Sequence, residues 1–516
     1  MPSKWLRILL ASAALAGAAA PASGQPAIPP ERLPTGHWSY EDLEELAVAG
    51  ALDSLWVYTR PLSRGDAAAA LLAAAARFGS DPRHARLLRE FAQEASELDS
   101  ARAPSFTRHL VDVGDADAAL RAWPRARLGE SREPGRGWHS DSLSELGFQG
   151  LAQLRPHWTL YTDMLMRKYA HGRDYADPLF TGTDITLLTQ QAYVAANYGP
   201  LQAMLGRDRV RWGLGQTGSL LLGDAAPAMT LVEYSLHWRR LHATAITSLL
   251  EPGLGGYLSG HRLEWHPGRA WLVGLSEVAR YTSRQPDLLY LSGIIPYTLV
   301  QRLLAADARG DTSLDVRNNI MVALEGAWRP RPGVQLGGTL LLDDVQRRAD
   351  QPGSRYGYQL SVLLTQTGRA RPATLRVEYT RILDYVYSVY YGEDYIHQGA
   401  SLAYPLGPDL ARLSGRLSVD VSRDLKAWVA ADYLAHGEGT LGQYLDVLHP
   451  GLQAPPGELL GVVEKTLGLD AGARWFARDN VQLEGSLGWR RVRDAAHVAG
   501  ARLTQLVGSL ALEGRW

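Results

Sequence analysis

The 516-residue chain contains no cysteine. This excludes disulfide staples, thiolate metal centres, cysteine nucleophiles and anchoring through a lipidated N-terminal cysteine. An excess of either charge is missing too. Fifty-three Lys and Arg stand against 54 Asp and Glu, a formal net charge of −1, so no field draws the whole chain to nucleic acid. Phenylalanine is scarce, six residues against 15 Trp and 23 Tyr, so the aromatic content is of the amphipathic kind that suits apolar–water boundaries. No Gly-x-Ser-x-Gly elbow, no His-Glu-x-x-His and no pair of acids spaced for glycoside cleavage is present. A non-catalytic role without metal or cofactor is the expectation. Asp343-Asp344 supplies far fewer oxygens than the six to eight that calcium takes.

What is present points to export and to strands. Lys4 and Arg7 precede the apolar run Ile8 to Ala20, and the small residues Ala22-Ser23-Gly24 suit cleavage before Gln25. Residues 1–24 therefore read as a signal peptide, too short to span a membrane as a helix. At the other end, Leu506, Gly508, Leu510, Leu512, Gly514 and Trp516 alternate with Gln505, Ser509, Glu513 and Arg515. This is a half-apolar strand ending on an aromatic residue, as expected of the final strand of a transmembrane barrel.

Residues 25–100 are Ala- and Leu-rich with helical spacing, through Leu43, Leu46, Ala47 and the run from Ala67 to Ala76, and predict a small helical periplasmic domain. Residues 101–146 are irregular and arginine-dotted, with Pro124-Arg125-Ala126-Arg127 and Glu133-Pro134-Gly135-Arg136, and predict a linker or wedge. From 147 to 516 alternating segments dominate. Val232, Tyr234, Leu236 and Trp238 interleave with Glu233, Ser235 and His237; Leu375, Val377 and Tyr379 with Arg376, Glu378 and Thr380; Leu417, Val419 and Val421 with Arg416, Ser418 and Asp420. Roughly sixteen to eighteen such segments fit an all-β transmembrane barrel with a polar interior. Large soluble β-sandwiches alternate as well, and are the alternative fold. His266 to Arg269 and Arg329 to Gly333 are expected as tight turns at one rim, and 285–319 and 436–461 as loops or plugs. The helical stretch from Ile294 to Ala306 is expected to fold into or across the lumen.

Arg207, Arg209, Arg211 and Trp212 gather cations and an indole within a few residues. In a loop they would pair with the carboxylates of an acidic polysaccharide and stack on a sugar; on a strand the arginines would line the lumen and Trp212 would anchor the interface. Tyr385, Tyr387, Tyr390, Tyr391 and Tyr395 crowd a second region with Asp384, Glu393 and Asp394, which suits a carbohydrate surface or an aromatic girdle equally. Gly213-Leu-Gly215-Gln-Thr-Gly218 spells GxGxxG but lacks the long helix a dinucleotide site requires, since Pro227 follows closely.

Two resemblances rest on particular residues. Gly36-His37-Trp38-Ser39-Tyr40 with Leu43, Leu46 and Gly50, then Pro61-Leu62-Ser63-Arg64-Gly65-Asp66, resemble one S-layer-homology module. That likeness implies contact with peptidoglycan or another wall polymer through Trp38, Arg64 and Asp66; otherwise the piece is a helical plug in which Trp38 is core. Gly206 to Gly213 with Gly218-Ser219-Leu220-Leu221-Leu222 and Asp224 to Pro227, and Asp394 to Leu402 leading into Leu406-Gly407-Pro408-Asp409, resemble the capsule-assembly, or Wzi-type, family of outer-membrane proteins. Gly223-Asp224-Ala225-Ala226 departs from that family's pattern before the proline. The resemblance implies an eighteen-stranded barrel in outer-membrane lipid that holds surface or capsular polysaccharide as a lectin. Arg207, Arg209, Arg211, Trp212, Tyr395, His397 and Asp409 are the candidate contacts. The alternative function is a wall-tethered diffusion channel.

Overall fold

Strands with one apolar and one polar face can pair every backbone N–H and C=O without an open edge only by closing into a barrel. The computed structural model of the chain adopts that solution. It describes residues 30–99, 101, 109–115, 117–135, 137–142, 144–168, 183–251, 255–283, 287–307, 318–344, 354–366, 368–389, 393–442 and 458–515. The proposed signal peptide and Trp516 lie outside the described residues.

Eighteen antiparallel strands form one closed barrel. They are β1 (Ala118–Gly135), β2 (Glu145–Leu154), β3 (Trp158–Lys168), β4 (Ile185–Tyr198), β5 (Leu201–Asp208), β6 (Met229–Trp238), β7 (Leu241–Glu251), β8 (Gly256–Trp265), β9 (Trp271–Thr282), β10 (Asn319–Arg331), β11 (Val334–Asp344), β12 (Arg355–Thr365), β13 (Ala373–Ile382), β14 (Leu410–Asp420), β15 (Leu425–His436), β16 (Glu464–Arg478), β17 (Val481–Arg493) and β18 (Arg502–Arg515). β18 closes on β1, from Gly508 opposite Arg132 to Arg515 opposite Arg125.

The segment expected as a linker therefore supplies β1, the first wall strand, on which β18 closes, and the barrel begins well before residue 147. In β1, Leu120 and Leu128 are exposed on the outer face while Arg121 and Trp123 are buried facing inward. Arg121 donates to Glu97 at 2.7 Å. The arginine-dotted text is the polar phase of a strand whose apolar phase is mostly alanine and leucine.

Tight turns join strands at one rim, including 266–270 as expected and 332–333, a shorter turn than the 329–333 expected because β10 runs on to Arg331, and the long connections lie at the other. Just above the tight turns Trp158, Trp238, Trp265, Trp271, Trp328 and Trp475 form an outward ring, each between 39% and 59% exposed. Tyr257, Tyr281, Tyr358, Tyr379 and Tyr433 lie toward the other rim, with outward Leu263, Leu275 and Leu324 side by side between the rings. At about 3.3 Å per residue and a tilt near 40°, the rings are separated by about 20–25 Å, the height of a lipid-facing band.

Inside the tight-turn end sit α1 (Ser39–Val48), α2 (Arg64–Phe78), α3 (Pro82–Glu90) and α4 (Ala92–Leu98). Ser63 caps α2 by accepting the Asp66 N–H at 3.4 Å, and Asp81 caps α3 with Pro82 behind it. Leu43, Leu46, Leu71, Leu87 and Phe91 pack this unit's own core.

The helical stretch 294–306 departs from expectation. It belongs to a hairpin, α5 (Leu288–Ser292) and α6 (Tyr297–Asp307), that packs on Tyr257, Ala279 and Tyr281. Those residues share the outward phase of Leu263 and Leu275, so the hairpin lies on the outer wall and not in the lumen.

Candidate functional site

The lumen is where charge and irregular backbone concentrate, and the helical unit fills its tight-turn end. α1 presents Glu41, Asp42, Glu44 and Glu45 to inward residues of the wall. Lys426 lies 3.2, 3.0 and 2.8 Å from Glu41, Asp42 and Glu45; Arg376 pairs with Glu44 and Glu45; Arg86 bridges Asp42 and Asp420 at 2.7 Å each. Burial alone would raise the Asp42 carboxyl, but Arg86 and Lys426 outweigh it and hold it at about 2. Glu41 is likewise held below the usual range, by Lys426 and Arg416 against the effect of burial. Bonds to backbone carbonyls complete the seat: Gly333 N–H donates to Val48 O at 2.9 Å, and the Arg83 guanidinium donates to Gln366 O at 2.9 Å. Buried pairs of this kind fix orientation more than they add net stability.

Above the helical unit the connection 209–228 turns into the lumen. Thr59–Arg60 pairs with Arg211–Trp212 as a short antiparallel ladder, joining this connection to the helical unit. Glu378 on β13 accepts the N–H groups of Gln216 (2.6 Å) and Thr217 (3.0 Å), and Gln359 on β12 donates to Gly218 O at 3.0 Å. A second inward connection, described at 383–389 and 393–409, lies above the first. Gly223 N–H donates to Leu402 O at 2.7 Å, and the Tyr387 hydroxyl donates to Leu220 O at 2.8 Å. Tyr385 and Tyr387 adopt φ of 59° and 76°, a costly conformation for aromatic residues, held here by the packing around them. A hydrogen-bonded column thus runs from the helical unit through 209–228 to 383–409, around a shared core of Trp212, Leu220, Leu222, Tyr387, Tyr395 and Tyr404.

Apart from Arg207, which has the outward phase of its strand, the candidate sugar contacts occupy this column or its edges rather than a free surface. β5 ends at Asp208, so the arginines do not share one strand face. Arg207 has the outward phase of Leu205 and donates to Thr189 O at 3.1 Å; Arg209 donates to Gln190 at a bulge in β4 and to Ala226 O; Arg211 turns inward, 3.9 Å from Asp224. Trp212 is 1% exposed and Tyr395 fully buried, so neither has a ring face open to a sugar. His397 is buried in the hairpin formed by Ile396–His397 and Ala400–Ser401. Asp409 accepts the N–H groups of Gly439 (2.9 Å) and Leu460 (3.2 Å), tying two rim connections together, and burial raises its carboxyl above the usual range. Glu378, Gln359 and Lys426 were not singled out from sequence, although the polar phase of their strands marks them as inward.

The candidate wall contacts are mostly internal. Trp38 packs on Phe476 with ring centroids 4.6 Å apart, and buried Arg64 is paired to Glu94 at 2.7 Å and Glu90 at 3.1 Å. Asp66 instead faces a cleft of about 430 Å³ between the helical unit and the wall, lined also by Trp56, Arg60, Glu233, His237 and His242. Burial pushes the Asp66 carboxyl up. Among the described residues no cluster of His, Asp and Glu has the arrangement of a metal site.

No family model matches the chain, which leaves the S-layer-homology resemblance without support, and no curated protein matches it. Solved structures do. OprD of Pseudomonas aeruginosa matches at 10% identity and TM-score 0.43 over 79% of this chain and 97% of its own, and the outer-membrane channel DcaP of Acinetobacter baumannii at 10% and 0.36 over 78% and 99%. Wzi of Escherichia coli, an outer-membrane protein involved in group 1 capsule assembly and a carbohydrate-binding β-barrel, matches at 15% identity and TM-score 0.63 over 95% of this chain and 99% of its own. In fold, from the lumenal helices to the closing strand, the chain is similar to that barrel.

Proposed function

We propose that this protein is an outer-membrane barrel that holds a surface or capsular polysaccharide at its long-connection rim, without conducting it through the lumen. The observation that carries this reading is the column of helical unit, 209–228 and 383–409, hydrogen-bonded across the lumen at successive levels. A diffusion channel needs an open path; a lectin needs a rigid rim, and a filled barrel provides one. The likeness to Wzi over nearly the whole of both chains supports the same choice. Many weak contacts along one polymer would add through avidity. In this reading the buried Trp212, Tyr395, His397 and Asp409 shape the rim from beneath, and the glycan meets the connections they support.

The test pairs two measurements on the purified protein in lipid. Titration with the cell's own surface polysaccharide is expected to saturate, and the same preparation in a planar bilayer is expected to show no unitary conductance. Steady open-channel currents with no glycan binding would replace this reading with the diffusion channel.

A further inference from the structure

The hairpin on the outer wall has a feature that a surface loop does not require. Its turn reaches down the barrel: Gly293, with φ of 60°, sits so tightly against the wall that a Cβ there would lie 2.4 Å from the Ala245 Cβ and 2.8 Å from the Tyr234 hydroxyl. Ala245 is only a few residues above the Trp238 ring, so at about 3.3 Å per residue and a tilt near 40° the turn lies about 10 Å above that ring, near the middle of the apolar band.

The wall is prepared for it at that depth. Glu277 and His261 face outward beneath the hairpin, 3.3 Å apart. A carboxylate on the lipid face would be unfavourable if left bare. Here Glu277 accepts the N–H of Tyr297 at 2.8 Å and of Thr298 at 3.2 Å, so the first turn of α6 covers the acid and the acid satisfies the helix start. Tyr234 donates to Leu291 O at 2.7 Å and joins α5 to β6. The face turned away from the wall is apolar: Leu288 is 55%, Ile294 84%, Leu299 47% and Leu303 43% exposed, continuous with the exposed outward leucines of β8 to β10. Arg302 is exposed on the same helix, where its long stem can carry the charge toward the headgroups.

We infer that residues 287–307 form a re-entrant helical hairpin inserted in the leaflet on the long-connection side, with Leu288, Ile294, Leu299 and Leu303 in contact with lipid acyl chains. The inference rests on the barrel spanning a membrane, as proposed above. It assigns the non-strand backbone within the apolar band to a helix pair whose two starts are satisfied by Asp287 and Glu277 and whose Leu291 carbonyl is met by Tyr234, in line with the bilayer's demand for paired backbone groups.

The chain has no cysteine, so a single introduced thiol carries a unique label. Ile294→Cys and Leu303→Cys, labelled with an environment-sensitive fluorophore, are reconstituted in phosphatidylcholine vesicles containing acyl-chain nitroxide lipid, and separately exposed to aqueous iodide. Leu275→Cys in the apolar band and Val498→Cys on the long-connection rim are the references. The nitroxide is expected to quench the Ile294 and Leu303 probes as strongly as the Leu275 probe, while iodide quenches only Val498. Iodide quenching at Ile294 and Leu303 with normal nitroxide quenching at Leu275 would place the hairpin in water and overturn the inference. Protection from both quenchers, with intermolecular disulfides forming between unlabelled Ile294→Cys chains, would replace the lipid with a second copy. Failure of the nitroxide to quench Leu275 would instead remove the membrane-spanning reading itself, and the hairpin inference with it.

Discussion

Replacing Lys426 by alanine should loosen the helical unit without loosening the barrel. The ammonium is 2% exposed as a residue and meets Glu41, Asp42 and Glu45 within 3.2 Å. Removing one partner from a buried cluster costs about 3–5 kcal/mol, because the charges left behind remain desolvated. Here each acid keeps another cation: Asp42 has Arg86 at 2.7 Å, Glu45 has Arg83 and Arg376 at 3.3 Å each, and Glu41 has Arg416 at 3.6 Å. The loss should therefore fall at the low end, about 3 kcal/mol, equivalent to ~10²-fold in the opening equilibrium of the unit. Amide hydrogen exchange resolved by segment measures that quantity directly. Amides of α1 should lose about two decades of protection, while those of β13 to β15 keep theirs, since their ladders do not depend on the helices. Unchanged exchange in α1 would refute the view that this cluster seats the unit. Equal loss across β15 and β16 would show that Lys426 serves the wall instead.

Acid should act at the same place. Asp42 is held at about 2 against an ordinary 3.8, and Glu41 and Glu44 are held low against an ordinary 4.5, so their contribution is complete only above about pH 5 and disappears as the pH falls through 2. Protease access to α1 at graded pH should rise across that window and not at neutral pH; a rise centred near pH 6 would contradict the assignment. Glu378→Ala removes the acceptor of the Gln216 and Thr217 N–H groups and should cost the inward connection about 1–3 kcal/mol for each buried N–H left unpaired. Faster exchange at 209–228 with an unchanged β13 is the expected signature, and a global fall in thermal stability without that local change would count against it.

Much of the wall was readable because a barrel strand writes its two environments into alternate residues. The text failed where one phase is not visibly apolar. β1 carries Pro124 and several arginines, and its outward phase is largely Ala and Leu, so it reads as irregular until the lumen is known to hold Glu97 opposite Arg121. The interior was harder, since nothing local distinguishes an inward connection from a rim loop. Arg207, Arg209 and Arg211 keep strand spacing across the end of β5, but the chain bends after Asp208 and the three diverge. Trp212 and Tyr395 suggested sugar stacking because aromatic residues serve cores and carbohydrate surfaces alike, and only burial separates the two. Glu277 was a usable signal for the outer hairpin. An acid in the outward phase of a membrane strand requires a cover, and the following helical stretch provides it.

The acidic face of α1 also bears on the order of assembly. The helical unit precedes every wall strand in the chain, and the strand that closes the wall is the last one, β18. Between synthesis of the first helix and pairing of the final hairpin, that unit has no lumen to enter. A docking face made of leucine would be exposed and adhesive throughout this interval, whereas Glu41, Asp42, Glu44 and Glu45 keep it hydrated until the wall cations Arg376, Arg416 and Lys426 are assembled around it. The same carboxylates that orient the finished unit would thus keep its precursor soluble during assembly.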